Sequence, residues 1–163
     1  MPKEEIPVTT AVRALRAKGI AFIPHFYTFQ EHGGTAHSAE ALGVPEHSVV
    51  KTLVFLTDQK DTLIVLMHGD KEVSAKELAR VLSVKRVEPC DERTAQKHTG
   101  YQFGGTSPFG TRVNLPVFVE QTIFSLERIF INGGKRGFLV EINPADLRKA
   151  LAITEVNLAV ERI

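Results

Sequence analysis

Lys51 interrupts the run Val49-Val50-Lys51-Thr52-Leu53-Val54-Phe55-Leu56. Strand periodicity sets it on the same face as Val49, Leu53 and Phe55. A charge on an apolar face has two readings. Either the ammonium snorkels into water from near the strand end, or it lines a pocket and binds a phosphate, a carboxylate or a polarised ester carbonyl. The segment Gly104-Gly105-Thr106-Ser107-Pro108-Phe109-Gly110 is the second candidate. Glycines let a ligand approach the backbone, and successive N–H groups in such a turn can form an anion nest; an ordinary turn is the plainer reading. No Lys-Ser or Lys-Thr pair follows at P-loop spacing, which disfavours nucleoside triphosphate hydrolysis.

Other reactive residue types carry less. Ser107 sits in Gly105-Thr106-Ser107-Pro108-Phe109, which lacks the second glycine of a nucleophile elbow. Pro108 also removes the N–H that an elbow uses for its oxyanion hole. His25, His32, His37, His47, His68 and His98 are scattered. His32 and His37, near Glu31 in a predicted loop, make a weak metal signal, and solvated histidines are the plainer reading. Cys90 precedes Asp91 at a helix start, where a lowered thiol pKa competes with simple burial or exposure. Tyr27 could stack on a base or bond a substrate ester, and core packing explains it as well.

The elements that must hold these residues are legible in outline. Val12 and Leu15, with Thr9 or Thr10 as N-cap and Gly19 as stop, predict a short helix from Thr9 to Lys18. Aromatic residues in Ile20 to Phe29 predict a strand, and Ser38 to Leu42 a turn or two of helix ending at Gly43. Val49 to Thr57 and Thr62 to His68, around Asp58-Gln59-Lys60-Asp61, predict an antiparallel hairpin. Ser74 with Glu77 reads as a capping box for a helix to Leu82. A further helix is expected over Asp91 to His98, loop over Gly104 to Gly110 and strand over Leu115 to Glu120. A second hairpin pairs Arg128 to Ile131 with Phe138 to Ile142 about a tight turn at Asn132-Gly133-Gly134-Lys135. Asn143-Pro144 opens a closing helix to about Leu151. Strand pairs and helices alternate without a parallel-sheet rhythm, so the class is α+β with a mixed, curled sheet or barrel surrounded by helices.

Composition narrows the partners. The 163 residues, 43% of them hydrophobic, suit one domain over 1–163. Twenty Lys plus Arg against 19 Asp plus Glu leave a formal charge of +1, so any RNA contact must be local and no DNA partner is indicated. One cysteine allows neither an intrachain disulfide nor a Cys-rich zinc framework. The charged start Met-Pro-Lys-Glu-Glu and the lack of an apolar run near ~18 residues predict a soluble, cytoplasmic protein with no membrane partner.

Taken together, Val49-Val50-Lys51-Thr52-Leu53, Thr99-Gly100-Tyr101, the Gly104 to Gly110 loop, Leu115-Pro116 and Asn132-Gly133-Gly134-Lys135-Arg136-Gly137 resemble the YbaK family. These trans-editing proteins are related to the insertion domain of bacterial prolyl-tRNA synthetase. The resemblance spans nearly the whole chain. It implies a mixed sheet or barrel wrapped by helices that cleaves the ester between an amino acid and the terminal ribose of tRNA, with no metal and no cofactor. It makes Lys51 the functional lysine and matches Gly104 and Pro108 to a Gly-x-x-x-Pro substrate loop, with Thr52, Gly105, Thr106 and Ser107 beside them. Tyr27 falls at a pocket tyrosine. In cysteine-specific members the substrate's own thiol attacks its ester, so the protein supplies orientation and charge stabilisation.

Two segments depart from that pattern. Cysteine-specific relatives read Asn-Phe-Gly-Asp where this chain has Gly34-Thr35-Ala36-His37, and Arg-Gly-Leu-Asp-Ile-Glu where it has Arg136-Gly137-Phe138-Leu139-Val140-Glu141. Both are expected to face the amino-acid pocket. Cysteine on tRNA(Pro) is the first substrate expected, with alanine or another small residue as the alternative. The implied partners are the acceptor end of aminoacyl-tRNA and, as an open addition, prolyl-tRNA synthetase; the oligomeric state stays open. A non-catalytic module that binds aminoacyl-tRNA or a synthetase, and a small-nucleotide binder, are the competing classes.

Overall fold

In chain order the computed structural model, which describes residues 5–162, runs α1 (Thr10–Ala17), β1 (Ile23–Phe26), α2 (Gly34–Leu42), β2 (Val49–Thr57), β3 (Thr62–His68), β4 (Lys71–Val73), α3 (Ala75–Leu82), β5 (Val87–Pro89), α4 (Glu92–Thr99), β6 (Val117–Glu120), β7 (Ile129–Lys135), β8 (Phe138–Ile142), α5 (Asp146–Ala150), β9 (Ile153–Val156) and β10 (Ala159–Glu161). Met1–Glu4, most of the charged N-terminal stretch, lie outside the described residues. Among the described residues no helix is long and apolar enough to cross a membrane.

The main sheet has the order β1-β8-β7-β2-β3-β6-β9, with β5 added to β2, and β10 pairs with β4 in a separate ribbon. It is mixed: β2/β3 and β7/β8 are antiparallel, while β2/β7, β3/β6 and β6/β9 run parallel. Among the described residues β1 and β9 are the two ends of the path and do not pair with each other.

Period-two geometry divides β3 between two cores. Ile64 and Leu66 enter the larger one beside α1 residues Ala11, Val12 and Leu15. Leu63, Val65 and Met67 enter a second with Leu78 and Ala79 of α3. A third cluster joins Ala39 of α2 to Val49, Phe130 and Leu139. Burial on both faces explains why β3 reads as an unbroken apolar run.

Local signals set most helix ends. The Thr9 side chain accepts from Val12 N–H, the Asp91 side chain from Thr94 N–H, and Gly43 closes α2 in the left-handed conformation. The capping box of α3 is only half made. Ser74 accepts from Glu77 N–H, but the Glu77 carboxylate turns to Arg80, and the Ser74 N–H donates to Leu158 C=O at 2.9 Å. The β7/β8 turn also lies beyond the expected place, at Arg136-Gly137. Asn132 pairs with Leu139, the register shifts, and Lys135 pairs with Phe138. Gly133 and Gly134 are therefore a bulge within β7, and Gly137, at φ +77°, makes the turn.

Candidate functional site

A cavity opens where β2 loses a strand partner. Along one edge β2 pairs with β3; along the other it meets β7 only at Val49 and Val50 and β5 only from Phe55 to Thr57. One hydrogen bond, from Cys90 N–H to Val54 C=O at 2.9 Å, crosses the interval. The cavity there, about 310 Å³, is lined by Val49 to Thr52 of β2, by Tyr27 and Phe29 beyond β1, by α2, by Leu139 of β8 and by the loop after α4.

Lys51 occupies the space between the α2 and α3 clusters, since its face neighbours Val49 and Leu53 belong one to each. Its side chain is 18% exposed, with Nζ 3.7 Å from Glu72 Oε2. Burial pushes the ammonium below the ordinary lysine pKa, and the Glu72 charge opposes that shift. The next residue presents a different signal. Thr52 lines the cavity, and among the described residues its buried Oγ1 has no hydrogen-bond partner. A dry unpaired hydroxyl is costly, and a pocket that admits a polar ligand offers it one.

The glycine loop contributes selectively. Gly104 and Thr106 line the cavity, whereas Gly105, Ser107 and Pro108 are buried outside its lining. Ser107 Oγ accepts from Phe109 N–H at 3.2 Å, so it serves the turn. Tyr27 lines the cavity edge-on to His37, with ring centroids 5.8 Å apart, and burial raises its phenol pKa. Cys90 also reaches the wall, but it is buried, and desolvation followed by the Asp91 charge pushes its thiol up. The lowered pKa considered for a helix start is therefore not found. Among the described residues the lining contains no Asp or Glu.

Two motifs of weak individual signal fix this loop in place. Asn132 Nδ2 donates to Gly104 C=O at 3.1 Å, while Asn132 Oδ1 accepts from Gly134 and Lys135 N–H. Arg136 Nε donates to Phe103 C=O at 2.7 Å. From the other side the Tyr101 hydroxyl donates to Phe109 C=O at 2.6 Å. Gly104 itself has φ +85°, and a Cβ there would stand 2.7 Å from the Phe29 ring. Gly104→Ala is expected to cost about 1–2 kcal/mol from left-handed strain alone and to shift the loop. Thermal unfolding checks this; an unchanged melting temperature would show that the backbone adjusts freely.

Some wall residues carried no signal in their own chemistry. His37, expected in a loop, lies on α2, faces the cavity and donates from Nε2 to Thr28 C=O at 2.7 Å. Thr35 and Leu139 also line it. All three fall in the two segments that depart from the cysteine-specific pattern, which was the available clue. His47, His68 and Asp70 were not grouped from sequence at all, yet their ligand-type atoms lie within 4.8 Å of one another. Protein partners already occupy them. His68 Nδ1–H donates to His47 C=O at 2.8 Å, its Nε2 bonds Thr122 Oγ1 at 2.7 Å, and His47 Nδ1 bonds Asp70 at 2.8 Å, with the two rings stacked 3.7 Å apart. The cluster reads as a hydrogen-bonded latch rather than a metal set.

Comparison with known proteins supplies a context for this geometry. The family model described as the aminoacyl-tRNA editing domain matches residues 31–150. A protein of Enterococcus faecalis named as a Cys-tRNA(Pro)/Cys-tRNA(Cys) deacylase, EbsC, is 28% identical over 137 residues, covering 83% of this chain and 84% of that protein. Proline–tRNA ligase of Desulforamulus reducens is 30% identical over 107 residues, which cover 65% of this chain but 18% of the ligase. The crystal structure described as a trans-editing enzyme for prolyl tRNA synthetase superposes with TM-score 0.83 at 19% identity, over 96% of this chain and 99% of that one. The hypothetical protein APE2540 gives TM-score 0.84 at 22% identity, over 93% and 99%. These structural likenesses establish the shared fold.

Proposed function

The chain belongs to the aminoacyl-tRNA editing domain family, and from that premise we propose that it acts as one free-standing editing domain, cleaving the ester that joins a wrongly attached amino acid to the terminal ribose of tRNA. The observation that carries this reading is that Lys51 and the Gly104 loop line one cavity. In the proposed mechanism the aminoacyl end enters the gap beside β2. Lys51 offsets the negative charge that develops on the ester oxygen or holds the neighbouring phosphate. Thr52 Oγ1 takes a polar group of the substrate, and Tyr27 bounds the amino-acid pocket. Neither Ser107, engaged in its turn, nor Cys90, with its raised pKa, is suited to act as nucleophile. Attack by the substrate's own thiol fits such a site, because the protein then contributes position and charge.

Cysteine on tRNA(Pro) is the proposed substrate, in keeping with the name carried by the Enterococcus relative. Leu139 favours a second reading, a small residue without a thiol. It places an apolar side chain in the wall where cysteine-specific members carry an acid. Turnover of tRNA(Pro) charged separately with cysteine, alanine, serine and proline decides between them. Fastest release of cysteine supports the first reading and of alanine the second, while no release above the spontaneous rate from any of the four ends the proposal.

Thr52→Val provides an independent check. Without its substrate contact KM is expected to rise roughly tenfold, equivalent to one lost hydrogen bond of about 1.4 kcal/mol. Stability should hold or rise, because a buried unpaired hydroxyl has gone. A KM equal to wild type would remove Thr52 from the site.

A further inference from the structure

A second cleft has a different chemistry. Arg93, Gln96 and Lys97 of α4, Gly100 at its end and Arg112 beyond the glycine loop surround it. Three of these five residues are cations and none is an acid. Among the described residues none of the three cations belongs to an ion pair within 4.0 Å. Their placement is fixed by backbone. Arg93 and Lys97 are four apart and so share one helix face. Arg112 is anchored by its own N–H to Thr99 C=O at 3.2 Å, and by Val113 N–H to His98 C=O at 2.8 Å. The Arg112 guanidinium lies along Gly100, 3.7 Å from where a Cβ would stand.

The position of this cleft gives it meaning. Pro89 and Cys90, immediately before α4, line the catalytic cavity, and so do Phe103 and Gly104 a few residues after it. The segments that lead into and out of α4 thus both reach the cavity, and the exposed Arg93 and Lys97 stand on the helix between them. Phe103, 42% exposed, lines the cavity on the chain between Gly100 of the cleft and Gly104. A chain with net charge +1 has no general attraction for a polyanion. A local group of exposed, unpaired cations beside the cavity is the form an RNA contact would take in such a protein.

We propose that Arg93, Lys97 and Arg112 form a binding site for backbone phosphates of the RNA whose aminoacylated end occupies the cavity. The proposal rests on the editing function advanced above. A structural role is the competing outcome for Lys97, because a cation in the last turn of a helix interacts favourably with the helix dipole.

The test is the triple variant Arg93→Gln/Lys97→Gln/Arg112→Gln, compared with wild type on two substrates. One is mischarged tRNA; the other is the same amino acid esterified to adenosine, which carries no phosphate. The variant is expected to lose about tenfold or more in kcat/KM on tRNA at low salt. Its dependence of log(kcat/KM) on log salt should flatten by roughly two, in line with about 0.7 to 0.9 per phosphate contact. Turnover of the adenosine ester should match wild type. Equal activity and salt slope on tRNA, or equal losses on both substrates, would overturn the proposal, the latter with a lowered melting temperature marking a structural role.

A loss seen only when prolyl-tRNA synthetase is present would make the cleft a protein-docking surface and reject the RNA assignment. Inorganic phosphate that protects wild type but not the variant from thermal unfolding, with tRNA kinetics unchanged, would assign it to small anions and reject RNA equally. If wild type cleaves neither substrate, it is the editing function that fails. Binding of uncharged tRNA to wild type and variant then decides the phosphate site alone, equal affinity overturning it.

Discussion

Replacing Lys51 by alanine is expected to slow release of the amino acid by about a hundredfold, the scale set by removal of one preorganised charge or donor from a transition state. The loss should appear in kcat as well as kcat/KM if the ammonium acts on the developing oxyanion, and chiefly in KM if it holds a phosphate. A wild-type rate in Lys51→Ala would exclude any direct role. The same residue makes an opposite prediction for stability. Burial lowers the Lys51 pKa in the folded protein relative to the unfolded chain. Below the lowered value both states carry the proton, and the cost of burying the charge is paid in full. As pH rises from that value towards 10.5, the folded state sheds its proton first, so the unfolded state holds more protons and stability rises. Lys51→Met should therefore melt at or above the wild-type temperature at neutral pH, with the gap narrowing as pH rises through that window. The rate should fall with rising pH over the same window, earlier than for an exposed lysine. A wild type more stable than Lys51→Met at neutral pH would contradict this account.

The largest structural effect is expected at Glu120, which is fully buried at the end of β6. Its Oε1 accepts the N–H groups of Leu158 and Ala159 at 2.7 and 2.9 Å, and its Oε2 accepts from the Thr122 hydroxyl at 2.9 Å. Leu158 C=O in turn accepts from Ser74 at the start of α3. One side chain thus ties the end of β6 to the Leu158–Ala159 segment, which in turn holds the start of α3. Glu120→Leu removes the acceptor of three backbone donors, the N–H groups of Leu158, Ala159 and Thr122, at about 1–3 kcal/mol each, for an expected total of about 3 kcal/mol or more. Glu120→Gln keeps an acceptor for those donors and should lose markedly less. Urea unfolding of both variants measures the difference, and equal midpoints for wild type and Glu120→Leu would refute the assignment.

What could be read in advance was governed by range. The β2/β3 hairpin, the Thr9 cap, the helix after Cys90 and the Gly43 stop depend on residues within a few positions of one another, and they stand in the structure. The strands β4, β5, β9 and β10 did not show themselves. β4 and β10 are three residues each, and Lys71 pairs with Glu161, ninety positions away. So short a segment has no periodicity of its own; only its distant partner makes it a strand. The half-made capping box has the same origin, since the Ser74 N–H is claimed by Leu158.

The site divides along similar lines. The face of Lys51 followed from alternation alone. That Gly104 and Thr106 reach the cavity while Gly105, Ser107 and Pro108 lie outside its lining depends on how Asn132, Arg136 and Tyr101 hold the loop. No spacing rule within the loop contains that information. Thr35, His37 and Leu139 became visible only by comparison with a family pattern, because nothing in a threonine, a helical histidine or a leucine marks it as a pocket wall.

The interruption along β2 has a consequence for how the protein keeps to itself. An unpaired strand edge is a template on which another chain can add, and long exposed edges invite aggregation. Here the stretch without a ladder partner, Lys51 to Val54, is four residues, about 13 Å; β7 closes it at one end and β5 at the other, and the Cys90 N–H already takes the Val54 C=O. A neighbouring molecule cannot lay a strand along so short a slot without displacing one of its two flanks. The molecule can thus keep main-chain groups of its central strand accessible to something small while denying them to another copy of itself.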